Sequence, residues 1–218
     1  MPEDQNVARA SKLDTTSLSD ALDRVGIAGQ CLGIKPLDST FRLAGRAFTI
    51  LYGPAGQPPG TVGDYVDDVP VGHVVALDNG GRENATVWGD ILTEVAHTRG
   101  IAGTVIDGAC RDTHLARTLG YPIFSRGYSM RTGKDRVQVE ALGGVVNIGD
   151  ARVNHGDILR GDADGVLVIP QAHEDAVLDA AEDIDAVEQK IRAAVNEGRT
   201  LAEVRKALGY HQLQTRPK

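Results

Sequence analysis

The middle of the chain alternates between two periodicities. "HVVALDNGG" is a short apolar run closed by Asn79 and two glycines, which predicts a buried strand. From Gly89 the spacing changes. Ile91, Leu92, Val95 and Ala96 fall at helical intervals until Gly100 stops them. "AGTVIDG" predicts a second strand. "RDTHLARTLG" predicts a second helix, with Leu115, Ala116 and Leu119 inward and Gly120 as its stop. "YPIFSRG" predicts a third strand. A β-α-β-α-β order implies parallel strands joined by right-handed crossovers.

The flanks read differently. Residues 1–12 read as a flexible arm. "DTTSLSDALDRVG" predicts a helix capped by Thr16 or Ser17, with Leu18, Ala21, Leu22 and Val25 on one face and Gly26 at its end. "FRLAGRAFTILYG" predicts a strand pair or one strand bent at Gly45. "GPAGQPPGTVGDY" is a Gly/Pro loop too short to link domains. Beyond residue 130, short β-runs between Gly/Asp turns predict an antiparallel portion. Residues 172–218 predict a helical extension, a long amphipathic helix followed by a short one over "TLAEVRKALG". One α/β domain over residues 1–218 is the simplest organisation.

Composition narrows the function. Hydrophobic residues make up 41% and charged residues 24%, ordinary globular values. Only 4% are aromatic, so the core rests on Val, Ile, Leu and Ala. A net charge of −7 with no basic face argues against nucleic-acid binding. Cys31 and Cys110 form no CxxC pair and no disulfide framework. The N-terminal stretch is polar, and no run reaches the about 20 apolar residues of a membrane span. A cytoplasmic, membrane-free protein is the expectation.

Candidate chemistry sits at the ends of the central unit. Twenty residues separate Asp90 from Arg111 and Asp112. That length is one helix plus one strand, which returns the chain to the same sheet edge. Parallel sheets bind ligands at the carboxyl ends of their strands. There the free N–H groups of Ile91 and Leu92 suit a carboxylate. Arg111 presents a planar fork for an oxyanion. Asp112 is a hard oxygen ligand for Mg²⁺ or Mn²⁺, which need only one or two carboxylates. Such a set suits a 2-oxo acid such as pyruvate. The spacing equally allows a capping aspartate and a surface ion pair.

Other residues carry less. Cys110 reads as a small buried hydrophobe, Lys134 in "TGKDR" as a solvated turn lysine, and "GDADG" as a turn. The six histidines show no HxH or HExxH spacing. His114, one turn inside the second helix, reads as structural or surface.

Asp90, twenty residues, then Arg111-Asp112 resembles the D-x20-R-D signature of 4-hydroxy-4-methyl-2-oxoglutarate aldolases, of the RraA-like family (regulator of ribonuclease activity A). "LSDALDRVG", "WGDILTEVAHTRGIAGTVIDGACRD" and "GDADGVLVIP" resemble family segments, over roughly residues 14–210. The resemblance implies an α/β fold of the swivelling β/β/α sandwich type. It implies a divalent-metal (Mg²⁺ or Mn²⁺) pyruvate aldolase acting on 4-hydroxy-4-methyl-2-oxoglutarate or 4-carboxy-4-hydroxy-2-oxoadipate, with oxaloacetate decarboxylation as a side activity. By motif position, Asp112 holds the metal through waters and Arg111 binds the keto oxygen. Asp90 orients a protonating water, and the backbone of Gly89, Asp90, Ile91 and Leu92 binds the carboxylate. The resemblance further implies a homotrimer or homohexamer with interface sites, to which a neighbour's Glu188 contributes. Some members are instead protein-binding ribonuclease inhibitors, described as lacking the full aspartate/arginine/aspartate set that this chain has. Others carry a menaquinone methyltransferase label, for which this chain has no glycine-rich GxGxG strand-turn.

Overall fold

The computed structural model describes residues 4–210. In chain order the elements are α1 (Gln5–Lys12), α2 (Thr15–Val25), β1 (Lys35–Pro36), β2 (Leu43–Pro54), β3 (Val74–Thr86), α3 (Asp90–Thr98), β4 (Gly103–Cys110), α4 (Thr113–Leu119), β5 (Ile123–Tyr128), β6 (Val137–Leu142), β7 (Val146–Ile148), β8 (Ala151–Val153), β9 (Ile158–Gly161), β10 (Val166–Ile169), α5 (Glu174–Asn196) and α6 (Leu201–Ala207). Short 3-10 turns occupy Asp64–Asp68 and Gln171–His173.

Eight strands form one mixed sheet in the order β1-β5-β4-β3-β2-β9-β10, with β6 also paired to β2. The pairs β2–β3, β3–β4 and β4–β5 are parallel, as the alternating pattern predicts. Strands β6, β9 and β10 pair antiparallel, and β7–β8 form a separate antiparallel ribbon. Of the two alternatives read for the segment before residue 54, a strand pair or one strand bent at Gly45, the structure forms the single strand. Leu43–Arg46 of β2 pair with β9 and Ala47–Leu51 pair with β3. The change of partner falls at Gly45–Ala47. A Cβ on Gly45 would lie 2.4 Å from the Gly72 carbonyl oxygen, so the close approach there requires glycine.

The two-residue period of the strands divides the core. Val75 and Leu77 of β3, Ile106 of β4 and Ile123 of β5 face Ala96 of α3 and Ala116 of α4. Val74 and Ala76, Val105 and Phe124 point to the opposite face, against Val146, Ile148, Ala151 and Val153 of the ribbon. Burial on both faces is why these strands read as continuous apolar runs. Two buried carboxylates tie the ribbon down. Asp78 accepts from the Asn147 N–H (2.9 Å), and Asp107 accepts from the Gly149 N–H (3.0 Å) while pairing with Arg126. Strand β3 does not stop at Asn79. It runs on to Thr86 through Gly80 and Gly81, both at positive φ, with irregular register against β4.

A third cluster joins Ala10, Leu13, Leu18 and Leu22 to Ile158, Leu167 and Ile169 and to Val177, Leu178 and Ile184 of α5. Residues 5–12 are therefore not a flexible arm. They form α1, capped by Asp4, whose carboxylate accepts from the Val7 N–H (3.1 Å). Arg9 pairs with Glu182 at 2.8 Å. The α2 cap is Asp14, not Thr16 or Ser17: its carboxylate accepts from the Ser17 N–H at 2.7 Å. Asp14 reaches the free Ser17 N–H with a full charge facing the helix dipole. Gly26 ends α2 in the left-handed conformation, as expected. Within the helical extension α5 and α6 occupy Glu174–Asn196 and Leu201–Ala207, and residues 211–218 lie outside the described residues. No helix among the described residues is long and apolar enough to cross a membrane.

Candidate functional site

The carboxyl ends of β3 and β4 are strapped together. Val87 N–H donates to the Ala109 carbonyl (3.2 Å) and Arg111 N–H to the Trp88 carbonyl (2.9 Å). Gly89 then caps α3, which carries Asp90 in its first turn. The twenty intervening residues are α3 and β4, and they return Arg111 and Asp112 beside Asp90. The Asp90 N–H donates to Asp112 Oδ2 at 3.3 Å, and Arg111 Nε lies 3.2 Å from the same oxygen.

Buried packing holds this corner. Trp88 is buried and its ring lies parallel to that of Tyr121, with centroids 6.3 Å apart. Its indole N–H donates to Thr93 Oγ1 (2.9 Å), and that hydroxyl donates to the Gly89 carbonyl (2.8 Å). The start of α3 is thereby locked to the core. Asp112 adopts the left-handed conformation at φ 55°, which aspartate tolerates better than most residues. That turn brings its carboxylate back over Gly89. A Cβ on Gly89 would lie 2.9 Å from Asp112 Oδ2 and 3.1 Å from Arg111 Nε.

A cleft of about 540 Å³ opens onto this corner. Trp88, Gly89, Asp90, Ile91, Leu92 and Arg111 line it, opposite Val62, Val66 and Lys134. Every expected substrate-binding residue is thus in one cleft. Their free groups differ in detail from the expectation. The Ile91 N–H is occupied by its own neighbour, Asp90 Oδ1, at 2.8 Å. The N–H groups of Gly89 and Leu92, the Arg111 Nη donors, Asp90 Oδ2 and Asp112 Oδ1 make no hydrogen bond among the described residues.

Other candidates separate. Cys110 is buried beneath the site, and burial pushes its thiol up to about 11, so it is a packed thiol and no nucleophile. His114 is exposed and does not line the cleft. Glu188 lies on α5, pairs with Arg192 at 2.8 Å, and does not line this chain's cleft. Lys134, read as a solvated turn lysine, forms part of the cleft wall. Sequence spacing missed it because the β-bridge between Thr86 and Thr132 that folds its turn over the cleft is long-range.

The comparisons agree with this architecture. The family model described as RraA-like, Aldolase/RraA, matches residues 15–168, and the chain belongs to that family. A Halalkalibacterium halodurans protein named "Putative 4-hydroxy-4-methyl-2-oxoglutarate aldolase" is 32% identical over 85% of this chain and 86% of its own length. Protein DlpA of Legionella pneumophila is 38% identical over 91% of this chain, which spans only 33% of DlpA. Among solved structures, an uncharacterized Pseudomonas syringae protein superposes with TM-score 0.86 at 39% identity, covering 94% of this chain and 99% of that one. Streptomyces coelicolor RraAS2, described as an unusual member of the RNase ES inhibitor RraA family, superposes with TM-score 0.80 at 25% identity, covering 88% and 97%.

Proposed function

We propose that the protein is a divalent-metal-dependent aldolase. It cleaves 4-hydroxy-4-methyl-2-oxoglutarate or 4-carboxy-4-hydroxy-2-oxoadipate to pyruvate and a second 2-oxo acid, and it decarboxylates oxaloacetate as a side activity. The observation that carries this reading is that Asp90, Arg111 and Asp112 meet at one corner. Asp90 and Arg111 line the cleft, and Asp112, outside its lining, contacts both, with Asp90 Oδ2, the Arg111 Nη donors and Asp112 Oδ1 unengaged among the described residues. Family membership and the aldolase name of the Halalkalibacterium relative support it.

Among the described residues no three His, Cys, Asp or Glu side chains group into a closed metal cage. Asp112 offers one open carboxylate oxygen, which fits a hard cation that keeps most of its waters. Asp112 would hold Mg²⁺ or Mn²⁺, which supplies positive charge for the enolate that carbon–carbon cleavage leaves behind. The remaining roles belong to the chain. The Gly89 and Leu92 N–H groups bind the 2-oxo acid's carboxylate at the positive end of α3. The Arg111 fork binds the keto oxygen, where negative charge grows as the bond breaks. Asp90 Oδ2 holds the water that returns a proton to the enolate carbon.

Ile91, Tyr128 and Met130 are 73%, 66% and 90% exposed. Ile91 lines the cleft and Ser129 N–H is tied to the Cys110 carbonyl, so this apolar group borders the site. Apolar exposure there supports a homotrimer or homohexamer that covers the site and brings a neighbour's Glu188 to it. The RraAS2 likeness supports a second reading, a non-catalytic binder of a ribonuclease. A lactate-dehydrogenase-coupled assay separates them. The expected result is pyruvate release from 4-hydroxy-4-methyl-2-oxoglutarate with Mg²⁺ or Mn²⁺, abolished by EDTA. No metal-dependent pyruvate from that substrate or from oxaloacetate would rule out the aldolase.

A further inference from the structure

The segment that gives Thr132, Gly133 and Lys134 to the cleft gives Arg131 and Arg136 to a second cavity. This cavity is about 310 Å³ and is lined by Arg82, Asn84, Ala85, Arg131, Arg136 and Val137. Three of its six lining side chains are guanidinium groups, in a chain of net charge −7.

None of the three arginines has a carboxylate partner among the described residues. Arg9, Arg46, Arg126 and Arg160 each have at least one. Backbone carbonyls instead anchor two of the cavity's arginines at one nitrogen each. Arg82 Nη1 donates to the Asn79 carbonyl (2.8 Å), and Arg136 Nη1 donates to the carbonyls of Thr132 (3.2 Å) and Lys134 (3.3 Å). Their other side-chain donors, and all the side-chain donors of Arg131, make no hydrogen bond among the described residues. The backbone beneath is braced as well. Thr86 N–H and Oγ1 both donate to the Arg131 carbonyl, at 3.2 and 2.9 Å.

Like charges brought to one cavity repel each other, and no acid among the described residues forms an ion pair with them. An anion with several oxygens would. Guanidinium forks match carboxylate and phosphoryl oxygens bidentately, and two anchored forks lose little freedom on binding. The Asn84 amide adds a neutral donor, while Ala85 and Val137 give the site an apolar floor. We propose that this cavity binds a small multivalent oxyanion, one carrying two or more carboxylate or phosphoryl groups. The site is separate from the catalytic cleft, and the proposal stands whether or not the aldolase reading does.

The test is isothermal titration of the metal-free full chain with citrate and, separately, with pyrophosphate, each against sodium chloride of equal ionic strength. Saturable binding of one anion per chain is expected from at least one of them, and the tighter of the two identifies carboxylate or phosphoryl recognition. Arg131→Ala and Arg136→Lys should each weaken that binding roughly tenfold or more, the scale of a charge-assisted hydrogen bond. Arg131 makes no side-chain bond, so its variant should fold normally, which circular dichroism checks. Binding should persist in Arg111→Ala, which alters only the cleft. The proposal is overturned if neither anion binds saturably at millimolar concentration. Binding unchanged in Arg131→Ala, or lost in Arg111→Ala, overturns it equally.

Discussion

At the scale of single residues, the site depends on one guanidinium and one missing methyl group. Arg111 holds its Nε against Asp112 and keeps its terminal donors toward the cleft. Removing a preorganised donor to a developing oxyanion typically costs about 10²–10³-fold in kcat. Arg111→Ala should show that loss in the coupled assay while its melting temperature stays near wild type. Near-normal turnover would remove Arg111 from the mechanism. Gly89 is the more informative position. Its φ of −145° suits any residue, so alanine costs the backbone little, ~1 kcal/mol or less as a cap exchange. The new Cβ would press on Asp112 Oδ2 and Arg111 Nε. Gly89→Ala should therefore lose activity on the order of 10²-fold, because a displacement of about 1 Å misaligns reacting groups. Unchanged kcat in a stably folded Gly89→Ala would show that the Arg111–Asp112 geometry is not critical.

Between elements, the fold relies on buried polar ties as well as apolar packing. Arg160 of β9 is buried and donates to the carbonyls of Ala10 (3.2 Å), Leu13 (3.0 Å) and Leu43 (3.3 Å), and to Gly161. It joins the end of α1 to the central sheet. Asp162, in the next turn, accepts from the Thr15 N–H (2.8 Å) and hydroxyl (2.6 Å) at the start of α2. These contacts turn the expected arm into a docked helix. Arg160→Met fills much of the volume but leaves those carbonyls without their donor, at a cost of about 3 kcal/mol. Thermal unfolding should then fall by ~10 °C for a chain of this size. A shift smaller than the error of the melt would mean that α1 and α2 are held by the apolar cluster alone.

The whole molecule raises the question of how many chains build one site. Glu188 is on α5, packed in the cluster of α1 and α2, whereas the cleft opens beside α3. Glu188 does not line this chain's cleft, so the proposed role for it there calls on a neighbouring chain. Co-expressing Arg111→Ala with Glu188→Ala chains tests this directly. If the two residues act across an interface, random mixing leaves about a quarter of the sites intact, since each site draws one part from each of two chains. The mixed sample should then exceed the sum of the separately purified variants. Activity no higher than that sum would place Glu188 outside the site.

Local chemistry made much of this molecule readable from its sequence. The apolar runs of β3, β4 and β5 and the helical spacing of α3 and α4 follow from periods that any burial would enforce, so the parallel unit was legible. So was the return of Arg111 and Asp112 to Asp90, because one helix and one strand have nearly fixed lengths. Features that rest on distant partners were not. The docking of α1 requires acids on α5 and a carbonyl bond from Arg160. The continuation of β3 past Asn79 depends on its neighbour β4. Lys134 in the cleft wall, and the three arginines gathered behind it, depend on a turn folded across Thr86. Sequence determined the central elements and the length of the helix-plus-strand span that returns Arg111 and Asp112 to Asp90. Tertiary structure decided which free donors and acceptors face the cleft, because that depends on which atoms other elements had already engaged.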